Sequence, residues 1–332
     1  MSIFDYKDSF KEIEDIPCTL VWESPDRPLY PKVSIIMPVY INHEFFKLAL
    51  ESALNQDWNG SYEIVVVDND TSENNPNQKI IEELNDPRVR YFRNAENIGM
   101  VGNWNRGVIK ASAPLVTFLH DDDMFLPTTL SNAMSASKKY PGKMIISSLR
   151  YINSEGRTWV DDSEYTSRRF GIFTPREIGK VSFARSLCLN LGNCVGSIFN
   201  RENLISLGGF HADSYPIPDY EMMVRYIYNY GAVNIRLPNA LYRFANNTSA
   251  KVYMNMGPKQ HEIELDMIER INLPYWMMHR IADTYFKLID TGFRNSFAPP
   301  EHHVHHHISI FDRVLTTMYR NLLNLIEAYR IG

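Results

Sequence analysis

The sequence predicts an α/β protein with a mostly parallel central sheet, helices on both faces, and a helical region at the C-terminal end. Three observations carry this expectation. From Val33 onward, short β-branched runs alternate with helix-period segments; the runs are apolar throughout; and polar clusters fall at their ends. Such alternation implies right-handed βαβ units and strands buried on both faces. Ligands bind such sheets beyond the carboxyl ends of the strands.

In chain order, residues 1–31 are mixed and polar, and Pro17, Pro25, Pro28 and Pro31 break any long element, so an extension on the domain surface is expected. Val33–Val39 is a continuous apolar run and reads as a strand. Residues 44–55 place Phe46, Leu50, Ala53 and Leu54 at helical spacing, and 62–67 form a second strand ending in Asp68. Pro76 suits the first turn of a helix reaching Leu84. Residues 88–92 read as a strand, 100–110 as a helix, and 114–119 as a strand ending in His120-Asp121-Asp122-Asp123. Pro127 opens another helix and 144–149 are strand-like. Beyond Arg150 come turn signals at 153–156, a helical stretch at 175–190, a short strand at 195–199, and an acidic helix from near Asp219. From Glu262 the chain reads as helical. In 308–331, Phe311, Val314, Leu315, Met318, Leu322, Leu325 and Ile326 form one apolar stripe, expected to be core or an interface, with membrane-surface association as the alternative.

Composition narrows the class. The 332 residues are 44% hydrophobic, and 34 basic against 39 acidic residues leave a net charge of −5, which argues against nucleic acid as a partner. No apolar run approaches the roughly 20 residues of a spanning helix. The first residues lack the basic and apolar regions of a signal peptide. Cys18, Cys188 and Cys194 are scattered and suggest a reducing compartment, so a cytoplasmic protein is expected.

Three consecutive aspartates after a buried strand repel one another at the low-dielectric end of a sheet. A divalent cation resolves this and attracts phosphate oxygens, with hard oxygen donors favouring Mg²⁺ or Mn²⁺ over zinc. The alternative is a solvated loop with a helix cap. Asp68 could accept from a base N–H or a ribose hydroxyl. Asp219 and Glu221 sit at a helix N-terminus, where they could cap the helix or act as a general base. The His302 to His307 run reads as a solvated loop rather than a closed metal site.

The ordered set of motifs resembles the family-2 inverting glycosyltransferases. Val33-Ser34-Ile35-Ile36-Met37-Pro38-Val39-Tyr40 is similar to their opening strand and nucleotide loop, and Ala53-Leu54-Asn55-Gln56 to the end of their first helix. The segment from Glu63 to Ser72 resembles their E-I-x-V-V-D-D-G-S, and Asn97-Ile98-Gly99 with Asn105-Arg106-Gly107 and Ala111 resembles N-x-G … R-N-x-G … A. His120-Asp121-Asp122-Asp123 stands where they carry a D-x-D metal motif, and Gly196-Ser197, Gly208-Gly209-Phe210 and Asp219-Tyr220-Glu221 resemble their acceptor half. The match spans roughly 32–245. It implies a GT-A, Rossmann-like fold at 32–255, with a nucleotide-binding half at 32–125 and an acceptor half at 126–255, followed by a helical region at 256–332.

By the same resemblance, Pro38, Tyr40 and Asp68 line the nucleotide pocket with Asn97, Gly99 and Asn105, and Asp121 approaches the ribose. Asp122 or Asp123 holds Mn²⁺ or Mg²⁺, and Asp219 is the catalytic base. The implied activity is transfer of one sugar from a nucleotide-sugar donor, expected to be UDP-linked, to a glycan or lipid-linked acceptor in cell-surface polysaccharide biosynthesis. Its place would be the cytoplasm or the inner face of the membrane, with homo-oligomer formation through the C-terminal helices left open. Two departures stand out: His120 replaces the first aspartate of D-x-D-D, and Ala245 replaces the histidine of a Y-R-x-H segment. They make a silent sugar-nucleotide binder or scaffold the alternative. A sugar-phosphate nucleotidyltransferase is disfavoured because no glycine-rich basic loop follows the first strand. A dinucleotide oxidoreductase is excluded because no strand is followed by G-x-G-x-x-G.

Overall fold

At the centre of the sheet, β2 (Val33–Val39) lies between β3 (Tyr62–Asp68) and β5 (Leu115–Phe118), parallel to both, with β4 (Val89–Asn94) parallel beyond β3. This is a computed structural model, and it describes residues 2–41, 43–161, 179–187, 191, 193–244, 248–297 and 304–329. Val33 stands opposite Tyr62 and Val39 opposite Asp68, and every residue of β2 and β3 is buried. Helices on both faces explain the unbroken apolar runs. Ile35 and Met37 join a cluster with Phe46, Leu50 and Ala53 of α1 (His43–Leu54). Ile36, pointing to the other face, packs with Trp104 and Val108 of α3 (Gly99–Lys110). Gly107 permits this approach, because a Cβ there would fall well inside van der Waals distance of Ile36 Cγ2. α2 (Pro76–Leu84) starts on its proline, with Asn75 capping the Asn77 N–H at 2.9 Å.

The expected surface extension contains a strand. β1 (Cys18–Glu23) pairs antiparallel with β4 and closes that edge of the sheet. Four prolines leave room for only six residues between Pro17 and Ser24, which suffices for an edge strand. Arg106 of α3 donates to the carbonyls of Ile13 and Ile16, both at 2.7 Å.

On the other side, β10 (Ile198–Asn200) runs antiparallel between β5 and β7 (Met144–Ile152). β7 pairs in parallel with β11 (Ala232–Arg243), and β6 (Met124–Phe125) closes the path. β11 escaped the sequence reading because Asn234, Pro238 and Asn239 interrupt its apolar pattern, and register shifts accommodate them. β8 (Thr158–Asp161) pairs with β7 and β9 (Gly179–Val181) with β11. The helix expected at 175–190 is therefore corrected within its described part. Gly179–Val181 is taken into the sheet, and only α5 (Phe183–Ser186) is helical. Residues 175–178 and 188–190, with Cys188, lie outside the described residues.

α4 (Thr129–Lys139) follows β6, just beyond Pro127, and α6 (Arg201–Ser206) and α7 (Pro218–Tyr230) follow β10 in the chain. The C-terminal helices are α8 (Thr248–Ile268), α9 (Tyr275–Phe297) and α10 (Ile310–Tyr329). The helical region thus begins before Glu262, and position 256 falls inside α8, where Gly257-Pro258 hides the helix from a propensity reading. Ile263, Met267, Met278 and Ile281 share one core cluster with Met222 and Met223 of α7, so these helices pack on the sheet domain itself. The N-terminal segment clasps them: the Ile3 N–H donates to Asp266 at 2.6 Å, and Arg270 lies over the Phe4 ring. α10 turns Tyr319 and Leu323 inward, whereas Phe311, Val314, Met318 and Leu322 of the expected stripe are exposed. Among the described residues no helix is long and apolar enough to cross a membrane.

Candidate active site

A cavity of about 560 Å³ lies over the carboxyl ends of β2, β3 and β5. Pro38, Val39 and Tyr40 leave β2 along one wall, while Asn97 and Gly99 come from the entry to α3. His120, Asp121 and Asp122 follow β5, and Asp219 faces them from the first turn of α7. Of the residues expected at the site, Pro38, Tyr40, Asn97, Gly99, Asp121, Asp122 and Asp219 are brought together here.

Three others lie behind the wall. Asp68 is fully buried. Its carboxylate accepts from Asn75 Nδ2 and Tyr91 OH, both at 2.9 Å, and from the Asp70 N–H at 2.7 Å. Burial pushes its pKa up, and these donors oppose the shift. Its donors are internal, and it shapes the loop after β3 instead of lining the cavity. Asn69 lines the cavity in its place. Asn105 is likewise buried. It accepts from the Phe210 N–H at 2.8 Å and donates to the Phe210 carbonyl at 2.9 Å, clamping α3 to the Gly208-Gly209 turn. Asp123 lies beneath the acidic turn with its Oδ1 accepting from the Arg243 N–H at 2.8 Å.

Sequence reasoning missed the groups that hold this geometry. Asn103 donates to the carbonyls of Val67 and Val39 and accepts from Asn94, which also donates to Asn69, so buried amides knit the strand ends to α3. The concentration of asparagines at 69, 94, 97, 103 and 105 was the available signal. Arg243, from the end of β11, donates to the Asp122 carbonyl at 2.9 Å and to those of Asn153 and Ser154, and its guanidinium lies over Phe45. The Tyr40 N–H donates to Asp121 at 3.1 Å, tying the β2 end to the acidic turn.

The acidic turn offers a metal site that includes His120. One donor atom each from His120, Asp122 and Asp123 lie within 4.8 Å of one another. Asp123 Oδ2 is buried and accepts no hydrogen bond, and His120 Nδ1 lies 3.6 Å from it. A buried carboxylate oxygen left in this state fits a divalent cation. His120 stacks on Trp104 with ring centroids 5.2 Å apart, and its Nε2 is 4.0 Å from Cys194 Sγ. Burial disfavours its charged form, yet Asp123 and Cys194 together raise its pKa well above the ordinary histidine value.

Asp219 accepts from the Tyr220 N–H at 2.9 Å. Burial raises its pKa, against that N–H and the charge of His120. Glu221 points elsewhere. It is fully buried against Arg225, with Nε at 2.6 Å, and His211 Nδ1 at 3.1 Å, while Arg225 also donates to the carbonyls of Leu207 and Gly209. Ala245 lies outside the described residues.

Comparison with known proteins adds sequence and fold relationships. The profile "Glycosyl transferase family 2" matches residues 34–200, half of the chain. A Campylobacter jejuni protein named GalNAc(5)-diNAcBac-PP-undecaprenol beta-1,3-glucosyltransferase is 33% identical over 149 residues, covering 42% of this chain and 47% of that one. The chain spans less than two thirds of the length of the first curated relatives it matches. Among solved structures, S. aureus TarS 1-349 in complex with UDP-GlcNAc superposes with a TM-score of 0.61 at 15% identity, covering 87% of this chain and 79% of that one. Mannosyltransferase PcManGT from Pyrobaculum calidifontis, in complex with GDP-Man and Mn²⁺, gives 0.54 at 16% identity, covering 95% and 90%. At these identities the structural likeness is one of fold, the GT-A arrangement.

Proposed function

The chain belongs to glycosyl transferase family 2, and from that membership we propose that it moves a single sugar from a nucleotide-sugar donor to an acceptor hydroxyl with inversion at the anomeric carbon. One observation carries the reading: His120 and Asp122, with Asp123 buried behind them, and Asp219 meet at one cavity. Asp219 takes the proton of the acceptor hydroxyl as its oxygen attacks the anomeric carbon. The bond from that carbon to the diphosphate breaks on the opposite face, and the electron pair leaves with the nucleoside diphosphate. A divalent cation held by Asp122 and Asp123, with His120 beside them, would neutralise the departing charge. Two carboxylates suit Mg²⁺ or Mn²⁺, and the imidazole favours Mn²⁺. Pro38, Tyr40, Asn97 and Gly99 border the nucleotide, and Asp121 meets the ribose.

UDP is the proposed nucleotide. A glycan or lipid-linked acceptor is supported by the undecaprenol-linked saccharide in the name of the Campylobacter relative, and the proposed setting is cell-surface polysaccharide assembly at the cytoplasmic face of the membrane. The test is calorimetry of UDP with and without Mn²⁺. Asp122→Asn is expected to weaken Mn²⁺-dependent binding about tenfold or more while the protein stays folded. An unchanged Mn²⁺ dependence removes Asp122 from the metal site. The silent-binder alternative, motivated by His120, predicts nucleotide binding without release of nucleoside diphosphate.

A further inference from the structure

α10 is apolar on two faces. Thr316, Tyr319 and Leu323 are buried against the body of the protein, and the Tyr319 hydroxyl donates to the Ala184 carbonyl at 2.9 Å. That face accounts for the packing of the helix on its own chain. Phe311, Val314, Met318 and Leu322 stand on a second face, and each is at least half exposed. At 100° per residue these four fall within about 80° of the helix circumference and form a ridge about 16 Å long. Ile310, also exposed, adjoins the ridge at its N-terminal end. Beside it, Arg280 of α9 holds Asp312 with Nη2 at 2.7 Å and Nε at 2.8 Å, and its guanidinium lies over the Phe311 ring, 5.3 Å from the centroid. Trp276, one turn before Arg280 and more than half exposed, carries the apolar surface onto α9.

Six side chains of this kind offer about 100 Å² each, so about 600 Å² of apolar surface stands open. A monomer rarely leaves so large a patch, and a standard interface buries about 800 Å² on each partner. The ridge is narrow, flanked by exposed Thr317 and Asn321 on one side and by half-buried Leu315 on the other. A narrow seam suits a second helix better than it suits a bilayer, which takes a broad apolar face with a basic border. The charges also disfavour an anionic membrane: Arg280 is committed to Asp312, and the chain carries a net charge of −5. Because the ridge and its flanks are uncharged, a twofold axis sets no like charges against one another there. We propose that this face joins two copies of the chain, with α10 packed antiparallel on α10 of the partner subunit. Side-chain size selects that direction. A twofold axis between Thr316 and Thr317 sets Phe311 against Leu322 of the partner subunit and Val314 against Met318 of the partner subunit, so a larger side chain meets a smaller one along the seam. A parallel pair opposes phenylalanine to phenylalanine and valine to valine, crowding one end and leaving a gap beside it.

Sedimentation velocity of the full chain across micromolar concentrations is expected to show a species of twice 38.6 kDa. Met318→Glu puts a carboxylate at the middle of the seam on a side chain that is exposed in the single chain. The far-UV circular dichroism spectrum should therefore be unchanged, while the dimer dissociation constant rises about 30-fold or more. Arg313→Glu, off the ridge on the same helix, should leave the dimer intact. Disulfide trapping gives an independent reading. Co-expressed Phe311→Cys and Leu322→Cys chains should form a reducible cross-linked dimer, and neither variant alone should. In the antiparallel register the two copies of position 311 lie about 16 Å apart along the seam, beyond the reach of a disulfide. A monomer at every concentration, a dimer undisturbed by Met318→Glu, or cross-linking within either cysteine variant alone overturns the proposal. A monomer that co-sediments with vesicles of phosphatidylglycerol and phosphatidylethanolamine, and is released by Met318→Glu, overturns it in favour of a membrane surface.

Discussion

Asp219 and Glu221 stand two residues apart on α7, and the fold assigns them opposite environments. Asp219 faces the cavity, while Glu221 is sealed between Arg225 and His211. Asp219→Asn keeps the shape but cannot accept a proton, so single-turnover transfer should fall about 10²–10⁴-fold with nucleotide affinity unchanged. Because burial raises the Asp219 pKa, and a base works only when ionised, transfer should decline as pH falls through a limb above the ordinary carboxylate range. That limb should vanish in Asp219→Asn; its persistence would place the base elsewhere. Glu221→Gln predicts a different failure. It leaves a buried guanidinium without its charge partner, a loss of about 3–5 kcal/mol that denaturant unfolding would read directly. The remaining folded protein should turn over normally.

Among the elements, α3 matters most to the site, because it carries Asn103 to the strand ends and begins at Gly99 on the cavity wall. Its distance from the sheet is set where Gly107 crosses Ile36. Alanine at 107 would gain about 1 kcal/mol of helix propensity. Against this, Ile36 is fully buried and stiff at χ1, so the clash is relieved only by moving the helix, at about 1–3 kcal/mol. The net expectation for Gly107→Ala is lower stability and weaker nucleotide binding. Combining it with Ile36→Ala should recover part of the binding, and a purely additive double-mutant cycle would contradict the packing account.

For the whole molecule, two of the C-terminal helices, α8 and α9, line the cavity. They share a core cluster with α7, and His306 holds Asp290 from the connector before α10. A chain ended at residue 303 loses His306, α10 and the Tyr319 hydrogen bond to the Ala184 carbonyl. It should keep Mn²⁺-dependent nucleotide binding and lose sugar transfer to the acceptor, measured by calorimetry and single-turnover transfer. A truncated protein that transfers sugar as the full chain does would separate α10 and its connector from acceptor placement.

What the sequence alone determined is what depends on neighbours along the chain. The bounds of β2 and α2 were legible because an apolar run and a proline at the first helical turn are local causes. Pro38, Tyr40, Asp121 and Asp122 were legible as residues of a cavity over the strand ends, because parallel strands present their carboxyl ends to ligand. β1, β9 and β11 were not, since each is a strand only because a partner leaves a backbone edge to pair with. The end of β3 makes the same point at one residue: its position was readable, but the side chain that turns inward was not. The three-dimensional pleat put Asp68 under Tyr91 and Asn69 into the cavity. Only the folded chain brings Arg243 to the acidic turn and His306 to Asp290, because those contacts join segments whose separation along the chain leaves no periodic trace.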